Sequence, residues 1–304
     1  MEDKKEKLPS TRIQWYPGHM AKTKRQIMED LKLIDVVIEI LDARIPISSQ
    51  NPDMKNLTKN KKRIILLNKS DLADDKETAK WINKFKIYNT SAISLDSNSG
   101  RGIDKVIKEL DNMMQGEKKI YEEKGRTGKP TRVLVLGIPN VGKSSFINRI
   151  SKQTTMKVGN KPGVTVQKQW IRLDNNIELM DTPGVLWPKF ESEEVGLNLS
   201  FTGTIKDEIL PKVEIAYRLL KYLLENYKDN VLDRYKLSKE EVDQIFNTDF
   251  EENEKVYEVM LLIGKKRGCL ISGGNVDDEK VSNIILDDFR NAKIGKITLE
   301  KVGN

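Results

Sequence analysis

Three short motifs, each suited to one part of a nucleotide, run along this chain in an order that constrains its fold. Asn68-Lys69-Ser70-Asp71, suited to a purine base, comes first. Gly137-Ile138-Pro139-Asn140-Val141-Gly142-Lys143-Ser144, suited to phosphates, follows. Asp181-Thr182-Pro183-Gly184, suited to a metal and a terminal phosphate, is last. In the usual order the phosphate loop leads and the base box trails. The shuffled order implies a circular permutation.

Apolar runs place the motifs. Val36–Leu41, Ile64–Leu67, Ile87–Tyr88 running on to Thr90-Ser91-Ala92, Val133–Leu136, Lys168–Leu173 and Ile177–Met180 read as strands. Helical spacing is predicted over Met20–Ile34, Lys76–Lys84 and Ile103–Met114. Strands alternating with helices predict an α/β fold with a mostly parallel sheet flanked by helices. Each motif follows a strand, where open α/β sheets bind ligands. After about Trp187 the pattern becomes helical: Val213–Tyr227, Lys239–Phe246, Glu254–Ile263 and Asp278–Arg290, with a possible strand at Lys296–Leu299. The expected organisation is therefore a permuted P-loop domain over 1–188 and a connector over 189–211. A small all-α C-terminal domain follows over 212–304. A charged, glycine-containing stretch at about 117–131 reads as a linker inside the first domain. At 304 residues the chain exceeds the size at which one core usually stops growing, which also favours two domains.

The phosphate loop needs glycines so that backbone N–H groups turn inward around an oxyanion. Gly137 and Gly142 have that spacing, Lys143 would bridge the β- and γ-phosphates, and Ser144 would ligate Mg²⁺. The N–H groups of Val141, Gly142 and Ser145 complete the cradle at a helix N-terminus. Asp181 would hold Mg²⁺ through water, and Gly184 would offer its N–H to the γ-phosphate. Thr165, in Pro162-Gly163-Val164-Thr165, is the candidate switch threonine closing over Mg²⁺. The alternative for Thr165 is a plain strand cap.

The base box would select guanine by its hydrogen-bond donors. The Asp71 carboxylate accepts from N1–H and the exocyclic amine of guanine, and adenine offers neither. Lys69 would lie over the base, Asn68 would tie this loop to the phosphate loop, and the Ser91-Ala92 backbone would meet guanine O6. Taken alone, Asn-Lys-Ser-Asp is more often a solvated turn; its place at a strand end makes it specific. A site of this kind takes GTP and GDP with Mg²⁺. Many such sites place a Gln after the Gly184 position to orient water; here that residue is Val185, so the intrinsic rate is expected to be slow. The single histidine, His19, lies in Trp15-Tyr16-Pro17-Gly18-His19-Met20. A lone histidine is more often structural.

The bulk properties narrow the setting. A net charge of +7 suits a polyanionic partner without requiring one. No apolar run approaches the ~18 residues of a membrane span. The charged start Met1–Lys7 lacks the apolar core of a signal peptide. The single cysteine, Cys269, supports no intrachain disulfide. These features predict a cytoplasmic protein with no membrane partner, and a monomer is assumed.

Together the motifs resemble the ribosome biogenesis GTPase A family of circularly permuted GTPases. The residues that carry the resemblance are Trp15–Met20, Asp42-Ala43-Arg44-Ile45-Pro46, Asn68–Leu72, Gly137–Ser145, Pro162–Thr165, Asp181–Gly184 and the tail from Asp288-Phe289-Arg290 to Glu300. The resemblance implies GTP hydrolysis in late assembly of the large ribosomal subunit, with contact to rRNA or to a late precursor particle. It implies that the helical C-terminal domain meets RNA or the ribosome. It implies a catalytic role for His19, with docking to the particle as the competing role. It also implies that Asn140 ligates K⁺ beside the phosphates, supplying charge that an arginine supplies elsewhere. Two alternatives stay open: an RNA-binding scaffold with a vestigial nucleotide site, and a permuted GTPase acting on another RNA or protein.

Overall fold

Val36–Asp42 is buried along its whole length, as a central parallel strand covered on both faces must be. In the computed structural model this strand, β1, is one of six in a single sheet ordered β3-β2-β1-β4-β6-β5. The others are β2 (Lys62–Asn68), β3 (Thr90–Ser94), β4 (Thr131–Leu136), β5 (Trp170–Leu173) and β6 (Ile177–Asp181). All pairings are parallel except β5 with β6. The structure describes residues 19–86, 90–123, 125, 128–153, 170–173, 176–184, 186, 190, 192–205, 207–209 and 211–303.

The order shows the permutation in space. From β1 the chain steps outward to β2 and β3, then returns to place β4 on the other side of β1. Strand order therefore reverses between β1 and β4, and such a switch point opens a crevice at the strand C-termini. The base loop leaves β2 and the phosphate loop leaves β4, one on each side of β1.

Helices α1 (His19–Asp30), α2 (Pro52–Thr58), α3 (Asp75–Phe85), α4 (Ile103–Glu123) and α5 (Lys143–Gln153) accompany the sheet. The expected linker at 117–131 is corrected: α4 runs to Glu123, and β4 starts at Thr131. Its buried positions Ile103, Val106, Leu110 and Met114 keep helical spacing. The helix then continues through charged residues, where Glu117 pairs with Lys62 at 2.8 Å and Lys118 with Asp111 at 3.0 Å. Residues 87–89, part of an expected strand, lie outside the described residues.

The C-terminal part is helical: α6 (Glu193–Phe201), α7 (Lys212–Asn226), α8 (Lys228–Tyr235), α9 (Lys239–Phe246), α10 (Glu252–Lys266) and α11 (Asp278–Arg290). Helix α6 lies within the span expected to be a connector and packs on α7 and α11. The anticipated strand at Lys296–Leu299 does not form. That tail lies on the nucleotide domain instead, with Ile297 N donating to Leu72 O at 3.1 Å and Leu299 N to Arg44 O at 2.8 Å. One apolar cluster runs continuously from the sheet into these helices. A smaller cluster built on Leu41, Ile65, Leu67 and Trp81 receives Val302 from the tail.

Candidate guanine-nucleotide site

Asn68 ends β2 and joins two motifs. Its Nδ2 donates to Val141 O at 2.8 Å, and its Oδ1 accepts from Ser97 N at 3.0 Å and Ser97 Oγ at 2.8 Å. The base loop, the turn after β3 and the phosphate loop are thus held by one buried amide. Gly142 permits the approach: a Cβ there would lie 2.3 Å from Asn68 Nδ2, and its φ of +100° disfavours any side chain.

Between these segments lies a cavity of about 250 Å³. Asn68, Lys69 and Asp71 form one side, and Asn140, Gly142 and Ser145 the other. Lys69 is in the left-handed region, φ 58°, and its Nζ lies 3.0 Å from Asp42 Oδ2. Asp42 also takes a two-pronged bond from Arg44, at 2.9 Å from Nε and 2.8 Å from the second terminal nitrogen. Burial alone would raise the Asp42 carboxyl, but Arg44 and Lys69 outweigh it and hold the group well below the usual carboxylate range.

On the phosphate side, Lys143 opens α5, and its Nζ donates to Ile138 O at 2.9 Å. Burial lowers its pKa to about 8, against the opposing pull of Asp181. Asp181 ends β6; burial raises its carboxyl, and Lys143 partly offsets the rise. Gly184 lies against this loop, where a Cβ would fall 2.8 Å from Pro139 N and 2.9 Å from Lys143 Nζ. Ser144, exposed in the first turn of α5, and exposed Asp181 present a hydroxyl and a carboxylate beside Lys143. Hard oxygen donors of this kind fit Mg²⁺ completed by phosphate oxygens. No group of three His, Cys, Asp or Glu that would make an all-protein metal cage occurs among the described residues.

The assignment of Ser91 and Ala92 to guanine O6 is corrected by the strand register. Ser91 pairs with Ile64 and Ala92 with Ile65, so both lie three to four residues before Asn68, roughly 10–13 Å down the sheet. Ser91 Oγ bonds Glu109, and Ala92 is buried. Strand β3 continues to Ser94, and the residues that reach the cavity are Asp96, Ser97 and Asn98. Their signal in the sequence was the turn-forming run Asp96-Ser97-Asn98-Ser99-Gly100. Asp96 Oδ1 there accepts from Asn98 N at 2.9 Å and Ser99 N at 3.2 Å. Arg44, Thr202 and Arg290 also line the cavity, and no nucleotide motif pointed to them.

Thr165, Val185 and the segment 154–169 lie outside the described residues. His19 opens α1, but its side chain also lies outside what the structure describes. Among the described residues no helix is long and apolar enough to cross a membrane.

Residues 132–260 match a family model described as 50S ribosome-binding GTPase. The chain is 43% identical over 288 residues to ribosome biogenesis GTPase A of Bacillus cereus, covering 95% of this chain and 93% of that protein. It is 30% identical over 291 residues to ribosome biogenesis GTPase A of Thermotoga maritima, covering 95% and 94%. Among solved structures, GDP-bound TM YlqF aligns with a TM-score of 0.64 at 26% identity, covering 92% of this chain and 100% of that one. GNP-bound YlqF from T. maritima aligns with a TM-score of 0.61 at 26% identity, covering 93% and 99%. With this similarity along its whole length, and guanine-type and phosphate motifs brought to one crevice by a permuted sheet, the chain belongs to the ribosome biogenesis GTPase A family of GTP hydrolases.

Proposed function

We propose that this GTPase is an assembly factor acting in late maturation of the large ribosomal subunit. The observation that carries the reading is the Asn68 bridge between base box and phosphate loop, in a chain whose relatives are named for ribosome biogenesis. Lys143 would bind the β- and γ-phosphates, Ser144 and Asp181 would hold Mg²⁺, Thr165 would close over it, and Asp71 would read guanine. Asn140 is the proposed K⁺ ligand. Its Nδ2 donates to Gly203 O at 3.1 Å, which leaves the amide oxygen as the end suited to a cation. His19 acts in hydrolysis or in docking to the particle.

Contact with rRNA or the ribosome is proposed for the helical part, 212–304, with the nucleotide domain contributing to it. The basic excess of the chain lies in the first 190 residues, whereas acids outnumber bases from Glu191 onward. That distribution gives the nucleotide domain the charge suited to phosphates, while the role of the helical part rests on the family resemblance. Residues 1–188 and 212–304 are proposed as functional units, joined by the connector 189–211, in a cytoplasmic monomer. The segment after Gly184 leads into the helical part, so loss of the γ-phosphate would reorient it. Identical X-ray scattering profiles in the GDP and GTP-analogue states would refute that reorientation.

The test of the main reading is GTP turnover in KCl with purified large subunits, with small subunits as control. Stimulation by the large subunit alone is expected, together with loss of that stimulation in His19→Ala at unchanged GTP affinity. Equal turnover with and without large subunits and their late precursors would overturn it.

A further inference from the structure

The guanine cavity has a third wall that no nucleotide motif supplies. Thr202, which caps the C-terminal end of α6, and Arg290, the last residue of α11, line it. Arg290 is fixed there. It pairs with Asp207 through two contacts, at 2.7 and 2.8 Å, and donates to Phe201 O at 3.0 Å and Ser200 O at 2.9 Å. The adjoining Gly203 carbonyl takes the bond from Asn140 of the phosphate loop.

The base loop is held from its other flank by the tail. Ile297 N donates to Leu72 O, one residue beyond Asp71. Asp74 N donates to Thr298 Oγ1 at 3.1 Å, and Trp81 Nε1 to Glu300 O at 2.8 Å. The Glu300 carboxylate accepts from the backbone N–H groups of Ile47 and Ser48, just past Arg44. Arg44 closes the circuit. It holds Asp42, which holds Lys69, while its own guanidinium lies 5.4 Å from the Phe289 ring centre and donates to Arg290 O at 3.4 Å.

This arrangement has a physical purpose at Lys69. A non-glycine residue at φ 58° is strained and persists only where its surroundings over-determine it. Residues 290–300 act on that surrounding at one remove, through Arg44, which holds Asp42, and through Leu72, whose N–H donates to Lys69 O.

We propose that the helical region is itself a wall and a clamp of the guanine site. Thr202 and Arg290 close the cavity, and the strap Lys296–Glu300 holds the base loop in its reading conformation. Undocking the strap therefore releases the nucleotide. The inference rests on the guanine-site reading above and adds to the γ-phosphate switch a second coupling, on the base side of the site. Linkage makes it reciprocal: whatever factor the strap adds to nucleotide affinity, the nucleotide adds to docking of the strap.

The test uses the full chain and fluorescent mant-GDP. Thr298→Val keeps the shape of a buried side chain and deletes the acceptor for Asp74 N. We expect mant-GDP to leave this variant at least ~5-fold faster than wild type, the low end of known couplings. In wild type, GDP should slow hydrogen exchange at the Ile297 and Leu299 amides by a comparable factor. Exchange in α9, away from the site, should be unchanged. Unaltered release from a folded Thr298→Val protein overturns the inference. If that variant does not fold, exchange decides alone, and GDP-insensitive amides at Ile297 and Leu299 overturn it. A wild-type chain that binds no mant-GDP would sink the guanine-site reading itself, and this inference with it.

Discussion

Asn68 Nδ2 lies 2.8 Å from the carbonyl oxygen of Val141, joining segments 73 residues apart in the chain. Through this bond the permuted chain restores in space the neighbourhood of base loop and phosphate loop that its linear order separates. Asn68→Ala removes it together with two bonds to Ser97. Each buried partner left unpaired costs about 1–3 kcal/mol. Urea unfolding should show a loss on the order of 3 kcal/mol, and GTP affinity should fall at the same time.

Asp71→Asn tests the base reading. An amide at this position can donate to the 2-oxo group of xanthine, whereas it loses the double acceptance from guanine. Competition binding should show preference moving from GTP to XTP. A retained preference for GTP would reassign the base contact.

Lys143 carries a cost in nucleotide-free protein. Its folded pKa, about 8, is below the unfolded value of ~10.4, so the folded state binds this proton more weakly. The cost is fully present below the folded pKa and fades as pH rises through 8 toward the unfolded value. Lys143→Met should therefore raise the stability of nucleotide-free protein at pH 7, on the order of 2 kcal/mol. The gain should shrink above pH 8, and stabilisation by added GDP should be lost. Thermal melts with and without GDP at pH 7 and pH 9 check all three.

Asp42 behaves in the opposite sense. Its carboxyl is depressed in the fold, so its contribution is present above the unfolded value of ~3.9 and lost as pH falls through the folded one. Asp42→Asn breaks a buried pair with Arg44 and frees Lys69, at a cost of about 3–5 kcal/mol. The deficit against wild type should be constant from pH 5 to pH 7 in denaturant unfolding. It should narrow only below about pH 4.

Local chemistry was enough to read the strands β1, β2, β4 and β6, the two glycines of the phosphate loop and the order of the motifs. Apolar runs and glycine spacing act over a few residues, so they are written in the sequence itself. The same local reading misplaced the end of β3. Thr90-Ser91-Ala92 is as polar as a strand end, and only pairing with β2 shows that the strand continues to Ser94. It also took the charged stretch at about 117–131 for a linker, although α4 runs on to Glu123 and Glu117 there meets Lys62 of a strand that is distant in sequence.

The sequence by itself determined which chemistry this protein can hold: a guanine-type base box, a phosphate loop and the permuted order that joins them. Tertiary structure alone decided what encloses that chemistry. Arg44, Thr202, Arg290 and the tail Lys296–Glu300 meet the site from distant parts of the chain, Arg44 and Arg290 lying 246 residues apart. No periodicity or motif records such a meeting. It arises because strand order reverses beside β1 and the helices share one apolar core with the sheet, bringing α11 and its tail down onto the base loop.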